Sequence, residues 1–271
     1  MISLISVIVP TFNSELLMQD FLDSCLCSKF KDFEIIVNDE VRSTDKLKSV
    51  CGEYEKKGLR ITYIKENRSM AQGRKRGAEE AHGIFLLHLD SDMQLTPSLL
   101  DECIAKSKNY DALVVPEESF GTTFWARCKW LEKKCFQGVE ELESLRFIKK
   151  AIYDMLGGHD ERMVFSEDKD FDLRVRAAGY KIGRTVSHLR HNEGNLKLIK
   201  TLKKKLGYSK TANIFAEVHP EHYRWQANPI HRYVIFARNI KYLFSHPFLY
   251  IGMVWMKTGE YMFSGIGMIR K

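Results

Sequence analysis

Two carboxylates, Asp90 and Asp92, follow the apolar run Leu86-Leu87-His88-Leu89 and stand one residue apart. In an extended segment, positions two apart face the same way, so both acids project together from the end of a buried strand. Hard oxygen ligands grouped in this way suit magnesium or manganese, which keep coordination positions for water and phosphate oxygens. A diphosphate leaving group needs such neutralisation. The plainer reading of an isolated Asp-x-Asp is a solvated turn or helix cap before Thr96-Pro97. A second pair of acids, the adjacent Glu167 and Asp168, stands where a helical pattern begins. Carboxylates there cap exposed N–H groups and face the positive end of the helix, and what else they do depends on what lies beside them.

The elements that must position these acids are legible as a pattern. Strand-like runs over Ser6–Val9, Phe33–Val37, Arg60–Ile64, Ile84–Leu89 and Ala112–Val115 alternate with helical patterns over Glu15–Ser28, Asp45–Lys57, Ser69–Ala81 and Ser98–Lys106. Such alternation predicts a mainly parallel sheet covered by helices on both faces, an α/β architecture. Ligands of such sheets bind beyond the carboxyl ends of the strands, and here those ends carry Pro10-Thr11-Phe12-Asn13, Asn38-Asp39-Glu40 and Asp90-Ser91-Asp92. Beyond Glu117 the pattern is less regular. Helices are expected over Phe124–Cys135, Val139–Lys149 and Glu167–Ala178, with a turn at Gly157-Gly158-His159-Asp160. After Gly194 the composition shifts to Lys-rich and aromatic-rich helices.

The 271 residues are 44% hydrophobic and 11% aromatic, which excludes a disordered chain. With 42 Lys plus Arg against 35 Asp plus Glu the formal charge is +7, which favours an anionic partner without choosing between nucleic acid, a sugar nucleotide and an anionic lipid surface. The six cysteines form no C-x-x-C pair and read as free thiols in a reducing compartment. No secretory-signal pattern precedes the first strand, and no apolar run reaches the roughly 18 residues of a membrane-spanning helix.

Taken in order, the motifs resemble those of the inverting glycosyltransferases of family 2, which have the GT-A fold. Val7-Ile8-Val9-Pro10-Thr11-Phe12-Asn13 is similar to that family's opening strand and nucleotide-contacting loop, and Phe33 to Asp39 to its second strand. The family's Gly-Ser-Thr-Asp continuation is replaced here by Glu40-Val41-Arg42-Ser43-Thr44-Asp45. Gln72-Gly73-Arg74 with Gly77-Ala78 resembles the stretch whose arginine approaches the nucleotide, Leu86 to Asp92 the metal motif, and Ser166 to Arg174 the acidic motif that holds the base. Gly157 to Glu161 precedes that motif and His191-Asn192-Glu193-Gly194 closes the series.

The resemblance implies roles that are chemically coherent. Pro10, Thr11 and Asn13 contact the nucleotide, and Asp39 accepts a hydrogen bond from the imide N–H of uracil or from donors on guanine. Arg74 meets a phosphate oxygen or stacks on a base. Asp90 sits by the ribose or a metal-bound water, while Asp92 binds Mn2+ or Mg2+ directly and the imidazole of His191 completes the metal shell; His188 is a weaker candidate. Inverting transfer is a direct displacement at the anomeric carbon, so a carboxylate must take the acceptor hydroxyl's proton. The resemblance favours Asp168 as that base, with Glu167 positioning the acceptor or helping to orient the site, and Gly157 and Gly158 letting the backbone approach the acceptor or simply forming a turn.

The expected organisation is a nucleotide-sugar-binding half over residues 1–115, an acceptor-binding half over 116–195 and a helical basic appendage over 196–271. Within the appendage, Leu196–Lys210 and Ile230–Phe244 read as basic amphipathic helices and Pro247–Met256 as an uncharged interfacial stretch. The expected partners are a UDP- or GDP-linked sugar and a lipid-linked or glycan acceptor, met by a cytoplasmic enzyme peripheral to the inner face of the cell membrane. Two other readings compete: a basic nucleic-acid-binding protein, which the Lys203-Lys204-Lys205 run would suit but which lacks a base-reading motif, and a non-catalytic sugar-nucleotide-binding module.

Overall fold

The computed structural model describes residues 4–67, 69–164, 166–209 and 212–269. From the start of the chain come β1 (Ile5–Thr11), α1 (Glu15–Leu26), β2 (Phe33–Glu40), α2 (Leu47–Lys56), β3 (Ile61–Asn67) and α3 (Met70–Glu79). Next are β4 (Phe85–His88), the short β5 (Met93–Gln94), α4 (Leu99–Ser107), β6 (Ala112–Val114), β7 (Glu117–Phe120) and α5 (Phe124–Phe136). Then follow β8 (Leu145–Lys149), α6 (Lys150–Met155), α7 (Glu167–Ala177), β9 (Ile182–Arg184) and β10 (Leu189–Asn192). The chain finishes in helices: α8 (Leu198–Ser209), α9 (Asn213–Val218), α10 (Pro220–Ala227), α11 (Pro229–Arg238), α12 (Lys241–Ser245) and α13 (Pro247–Ile269). Contacts divide these elements into two compact units that interleave along the chain. One is Met1–Pro116, Ser144–Arg162 and Glu167–Arg190; the other is Glu117–Glu143, Met163–Ser166 and His191–Lys271.

The first unit is an α/β sandwich. Its seven strands lie in the order β3-β2-β1-β4-β8-β6-β9. β1 pairs in parallel with β2 and β4, β2 with β3, and β6 with β9, while β8 runs antiparallel between β4 and β6. Successive strand residues alternate between two cores, as the two-residue period of a strand requires. Ile5, Val7 and Val9 join Ile35, Val37 and Leu87 in the core beneath α1, α2 and α4. Ile8, Ile36 and Leu86 join the core on the other face, which Ala78 of α3, Ile152 of α6 and Phe171 and Val175 of α7 complete. Burial on both faces explains why these strands read as continuous apolar runs.

One expected helix is a strand instead. Val139–Lys149 contains a single 3₁₀ turn at Glu140–Leu142 and then β8. A short apolar run has no periodicity to separate helix from strand; Phe147 and Ile148, 1% and 0% exposed, are claimed by the sheet because they pair with both β4 and β6. That pairing carries Arg146 into the sheet's interior.

The second unit is helical, and its predicted segments appear with altered boundaries. Leu196–Lys210 corresponds to α8, with Lys210 outside the described residues. Ile230–Phe244 is broken into α11 and α12 at Asn239, whose side-chain amide donates to the carbonyl oxygens of Ile235 (3.0 Å) and Cys135 (3.4 Å). Pro247–Met256 is the first part of the 23-residue α13. Among the described residues no helix is long and apolar enough to cross a membrane.

α13 packs on α5 at close range: a Cβ on Gly252 would stand 2.6 Å from the Phe124 ring and 2.7 Å from Cys128 Sγ. Beside that contact the two helices share buried charges. Glu132 of α5 is ion-paired with Lys129 and with Lys257 of α13, and Lys257 also pairs with Glu260.

Candidate active site

The site is assembled at the carboxyl ends of β1, β2 and β4. β1 ends in Pro10 and Thr11, both buried, and then Asn13 turns the chain with φ 46°, a left-handed conformation that asparagine tolerates better than most residues. Asn13 clips the first loop to the second. Its N–H donates to Ser43 Oγ (3.1 Å) and its Oδ1 accepts from the Thr44 N–H (2.9 Å). Asp45 Oδ2 accepts from the Glu15 N–H (2.9 Å), and Ser91 Oγ donates to Ser14 Oγ (3.0 Å), tying in the third loop. The departure from Gly-Ser-Thr-Asp is therefore accommodated: the β2–β3 register shifts at Asp39/Glu40, the chain loops outward, and Ser43, Thr44 and Asp45 all bond to the first loop.

Asp39 is fully buried and accepts three hydroxyl hydrogen bonds. Thr11 (3.0 Å) and Ser43 (2.6 Å) donate to Oδ1 and Tyr63 (2.8 Å) donates to Oδ2. Thr11 and Ser43 are themselves buried, whereas Tyr63 is half-buried, so the Tyr63 side is the approach to this carboxylate.

Arg74 lies at the centre of the site. α3 brings it inward because the helix face carrying Gly73 and Gly77 can lie directly on the sheet: Asn38 Nδ2 donates to the Gly73 carbonyl (3.3 Å), and a Cβ on Gly77 would meet Ile8 Cγ2 at 2.6 Å. The guanidinium, 2% exposed, donates from Nη2 to Asp90 Oδ1 (2.5 Å) and lies with Nε 3.4 Å from Glu167 Oε1. Burial works against its charge, but Asp90 and then Glu167 outweigh that and raise its pKa. Its Nη1, also buried, finds no hydrogen-bond partner among the described residues. Asp90 is flanked on its other side by Arg146, 3.6 Å away, and Arg146 also donates to the His88 carbonyl (3.4 Å).

Beneath these charges lies a ring cluster that sequence reasoning passed over. His88 stacks on Tyr153 and meets His159 edge-on, with centroids 5.1 and 4.9 Å apart, and Phe171 closes the group. Burial, reinforced by Arg74 and Arg146, holds the His88 pKa well below its ordinary value, and burial with His88 beside it does the same to His159. Both rings are neutral. Tyr153 also explains the glycine pair: Gly158 has φ 68° and a Cβ there would touch the Tyr153 ring at 2.8 Å, while Gly157 has φ 77°. The turn is fixed to α7 by Arg174, which donates to the carbonyls of Leu156 (2.8 Å) and Gly158 (2.6 Å) and to Asp170 (2.8 Å).

α7 begins abruptly after Ser166, whose φ of 59° is unusual for a residue with a side chain. Its acids then divide. Asp170 is committed to Arg174, and Asp172 to Lys169 and Arg176. Glu167 is buried against Arg74. Burial and the neighbouring Asp168 carboxylate raise its pKa to about 7, although Arg74 opposes the shift. Asp168 is only half-buried, and its Oδ1 accepts from the Lys169 N–H (2.7 Å).

For a metal, the donor set matters. Asp90 contacts two arginines, and Asp92 lies half-buried in the same loop. No group of three or more His, Cys, Asp or Glu is assembled into a cage among the described residues. One or two carboxylates completed by water and substrate phosphates is how Mg2+ is usually held, so the residues present fit such an ion. His191 belongs to the second unit, where its Nδ1 lies 3.0 Å from Glu117 Oε2. Metal-bound histidines usually have their other ring nitrogen on such a carboxylate. Glu117 itself carried no sequence signal.

A family model described as Glycosyl transferase family 2 matches residues 6–154. Among curated proteins, the GalNAc(5)-diNAcBac-PP-undecaprenol beta-1,3-glucosyltransferase of Campylobacter jejuni is 37% identical over 107 residues, 38% of this chain and 34% of that protein. The glycosyltransferase GlyA of Streptococcus pneumoniae is 31% identical over 109 residues, 40% of this chain and 16% of that protein. The chain therefore spans well under half the length of these relatives. Among solved structures, a mannosyltransferase from Pyrobaculum calidifontis in complex with GDP-Man and Mn2+ superposes with a TM-score of 0.71 at 15% identity, covering 98% of this chain and 87% of that one. The likeness shows a shared fold, the GT-A arrangement.

A carboxyl with a raised pKa holds its proton more tightly folded than unfolded, so its contribution to stability is full below its ordinary 4.5 and is lost as the pH rises toward 7. Glu167→Gln should flatten that part of the profile. Urea unfolding between pH 4.5 and 8 tests this, and an unchanged slope in the variant would place the proton elsewhere.

Proposed function

Because the chain belongs to glycosyl transferase family 2, we propose that it moves a glycosyl group from a UDP- or GDP-linked sugar to an acceptor hydroxyl with inversion at the anomeric carbon. The observation that carries this reading is the buried guanidinium of Arg74, which joins Asp90 of the Asp-x-Asp loop to Glu167 of the acid pair while its Nη1 has no hydrogen-bond partner among the described residues. Donor-side and acceptor-side motifs, 77 positions apart, meet on one cation.

Pro10, Thr11 and Asn13 form the wall against which the nucleoside lies, and Asp39 accepts a base N–H in place of the Tyr63 hydroxyl, the donor on its accessible side. Arg74 offers its remaining donor to a diphosphate oxygen, while Asp90, oriented by Arg74 and Arg146, faces the ribose. Asp92 would hold Mn2+ or Mg2+, which when bound would supply positive charge against the charge developing on the diphosphate. Asp168 takes the acceptor proton. The other acids of α7 are locked in ion pairs or pressed against Arg74, which supports the choice. Glu167 acts as the positioning residue beside it, its own pKa raised to about 7 by burial and by the neighbouring Asp168 carboxylate. The fixed turn at Gly157 and Gly158 presents backbone to the acceptor.

The acceptor in this reading is a lipid-linked glycan or a related envelope precursor, reached from the cytoplasmic side by peripheral contact with the membrane. The Campylobacter relative's name concerns an undecaprenol-linked glycan. On α13 the apolar side chains of Phe248, Ile251 and Trp255 are 79%, 62% and 69% exposed, and aromatic groups with nearby basic residues favour an anionic interface.

Asp168→Asn keeps the shape of the side chain but cannot accept a proton. Sugar transfer, measured by release of nucleoside diphosphate with acceptor present, should fall about 100-fold or more, with donor affinity retained. Near-normal transfer in this variant would reassign the base. Co-sedimentation with anionic vesicles should fall as salt rises, and a protein that stays in the supernatant at low salt has no such membrane contact.

A further inference from the structure

An open groove of about 750 Å³ lies in the helical unit, within the range of small-molecule sites. Its walls are apolar, built from Trp125 near the start of α5 and from Leu198 and Ile199 at the start of α8, and its rim carries Lys197, Lys200 and Lys203. No acidic residue is among those that line it. The two walls are fixed to each other: Thr123 Oγ1 caps α5 by accepting from the Ala126 N–H (3.2 Å) and donates to the Leu196 carbonyl (3.2 Å). Ile199, inside this groove, is 70% exposed. A large apolar side chain left this open beside three like charges has a cost that an amphiphile with an anionic head would remove.

We propose that this groove binds one molecule of a phosphate-bearing lipid, its hydrocarbon chain against Trp125, Leu198 and Ile199 and its phosphate on the lysine rim. The proposal names a subsite for the lipid-linked acceptor and rests on that reading only for the ligand's role, since the groove's chemistry stands apart from the sugar-transfer site. The apolar walls select the chain, and the lysines select the charge. An inorganic phosphate lacks the first contact and a fatty alcohol the second, so neither alone binds well.

The test is calorimetric titration of the full chain with dodecyl phosphate below its micelle concentration, with dodecanol and inorganic phosphate as separate arms. Dodecyl phosphate should bind saturably with one molecule per chain, and inorganic phosphate should neither bind nor compete at equal concentration. Ile199→Glu puts a charge on the wall at an exposed position and should weaken binding at least about tenfold. Lys200→Glu with Lys203→Glu should do the same for dodecyl phosphate and leave dodecanol unchanged. Circular dichroism identifies any variant that fails to fold, and the other variant then decides. Binding unaltered by both variants, or uptake of many molecules per chain as on a general apolar surface, overturns the proposal. Both variants should keep the wild-type affinity for a nucleoside diphosphate with Mn2+. Absence of nucleotide binding in the wild-type protein would count against the transferase reading, and the dodecyl phosphate titration still decides the groove.

Discussion

A guanidinium taken out of water must be met by anions, and the site is organised by how Arg74 satisfies that demand. Its two acidic partners come from elements remote in sequence, Asp90 after β4 and Glu167 at the head of α7. Glu167 is buried with Arg74 while Asp90 is half-buried, and removing one member of a buried ion pair costs about 3–5 kcal/mol. Lysine would not substitute, because one ammonium on a flexible stem cannot reproduce a planar fork aimed in two directions. The approach of α3 that brings this fork inward requires glycine at Gly77, where a Cβ would meet Ile8 of β1 at 2.6 Å.

The same electrostatics divide labour among groups of similar chemistry. Asp90 and Asp92 stand two apart, yet Asp90 is clamped between Arg74 and Arg146 while Asp92 lies half-buried farther along the same loop. Glu167 and Asp168 are adjacent, yet one is buried with its pKa raised to about 7 while the other is half-buried. His88 and His159, buried beside cations, are held neutral and act as packing and dipoles rather than charge.

Much of this was legible in the residues. Continuous apolar runs ending in polar loops gave the sheet and the rim where the loops converge, and the spacing of Asp90 and Asp92 located the loop that faces Arg74. Arg74 itself was expected to meet a phosphate; its part in joining two acids depends on tertiary approach and has no local signature. Arg146 was hidden because Leu145-Arg146-Phe147-Ile148 is too short for either period to show, and an antiparallel strand inserted into a parallel sheet breaks the alternation that located the others. The Ser43-Thr44-Asp45 contacts were obscured by an outward loop that keeps the bonding residues and changes only their spacing. In the helical unit the amphipathic pattern was plain, but the ion pairs of Glu132 and Glu260 with Lys129 and Lys257 were not, because charges on a helix read as solvated until another helix covers them.

In the proposed reading, three polar loops and Arg74 form a seat for a nucleoside diphosphate, completed by a divalent ion at Asp92. Titration of the purified protein with UDP and GDP, followed by thermal unfolding with Mn2+ and again with excess EDTA, tests it most directly. One nucleotide should raise the unfolding temperature in Mn2+, the rise should vanish in EDTA, and Asp92→Ala should show little of it in either condition. Equal stabilisation with and without the metal, or none by either nucleotide, would contradict the account.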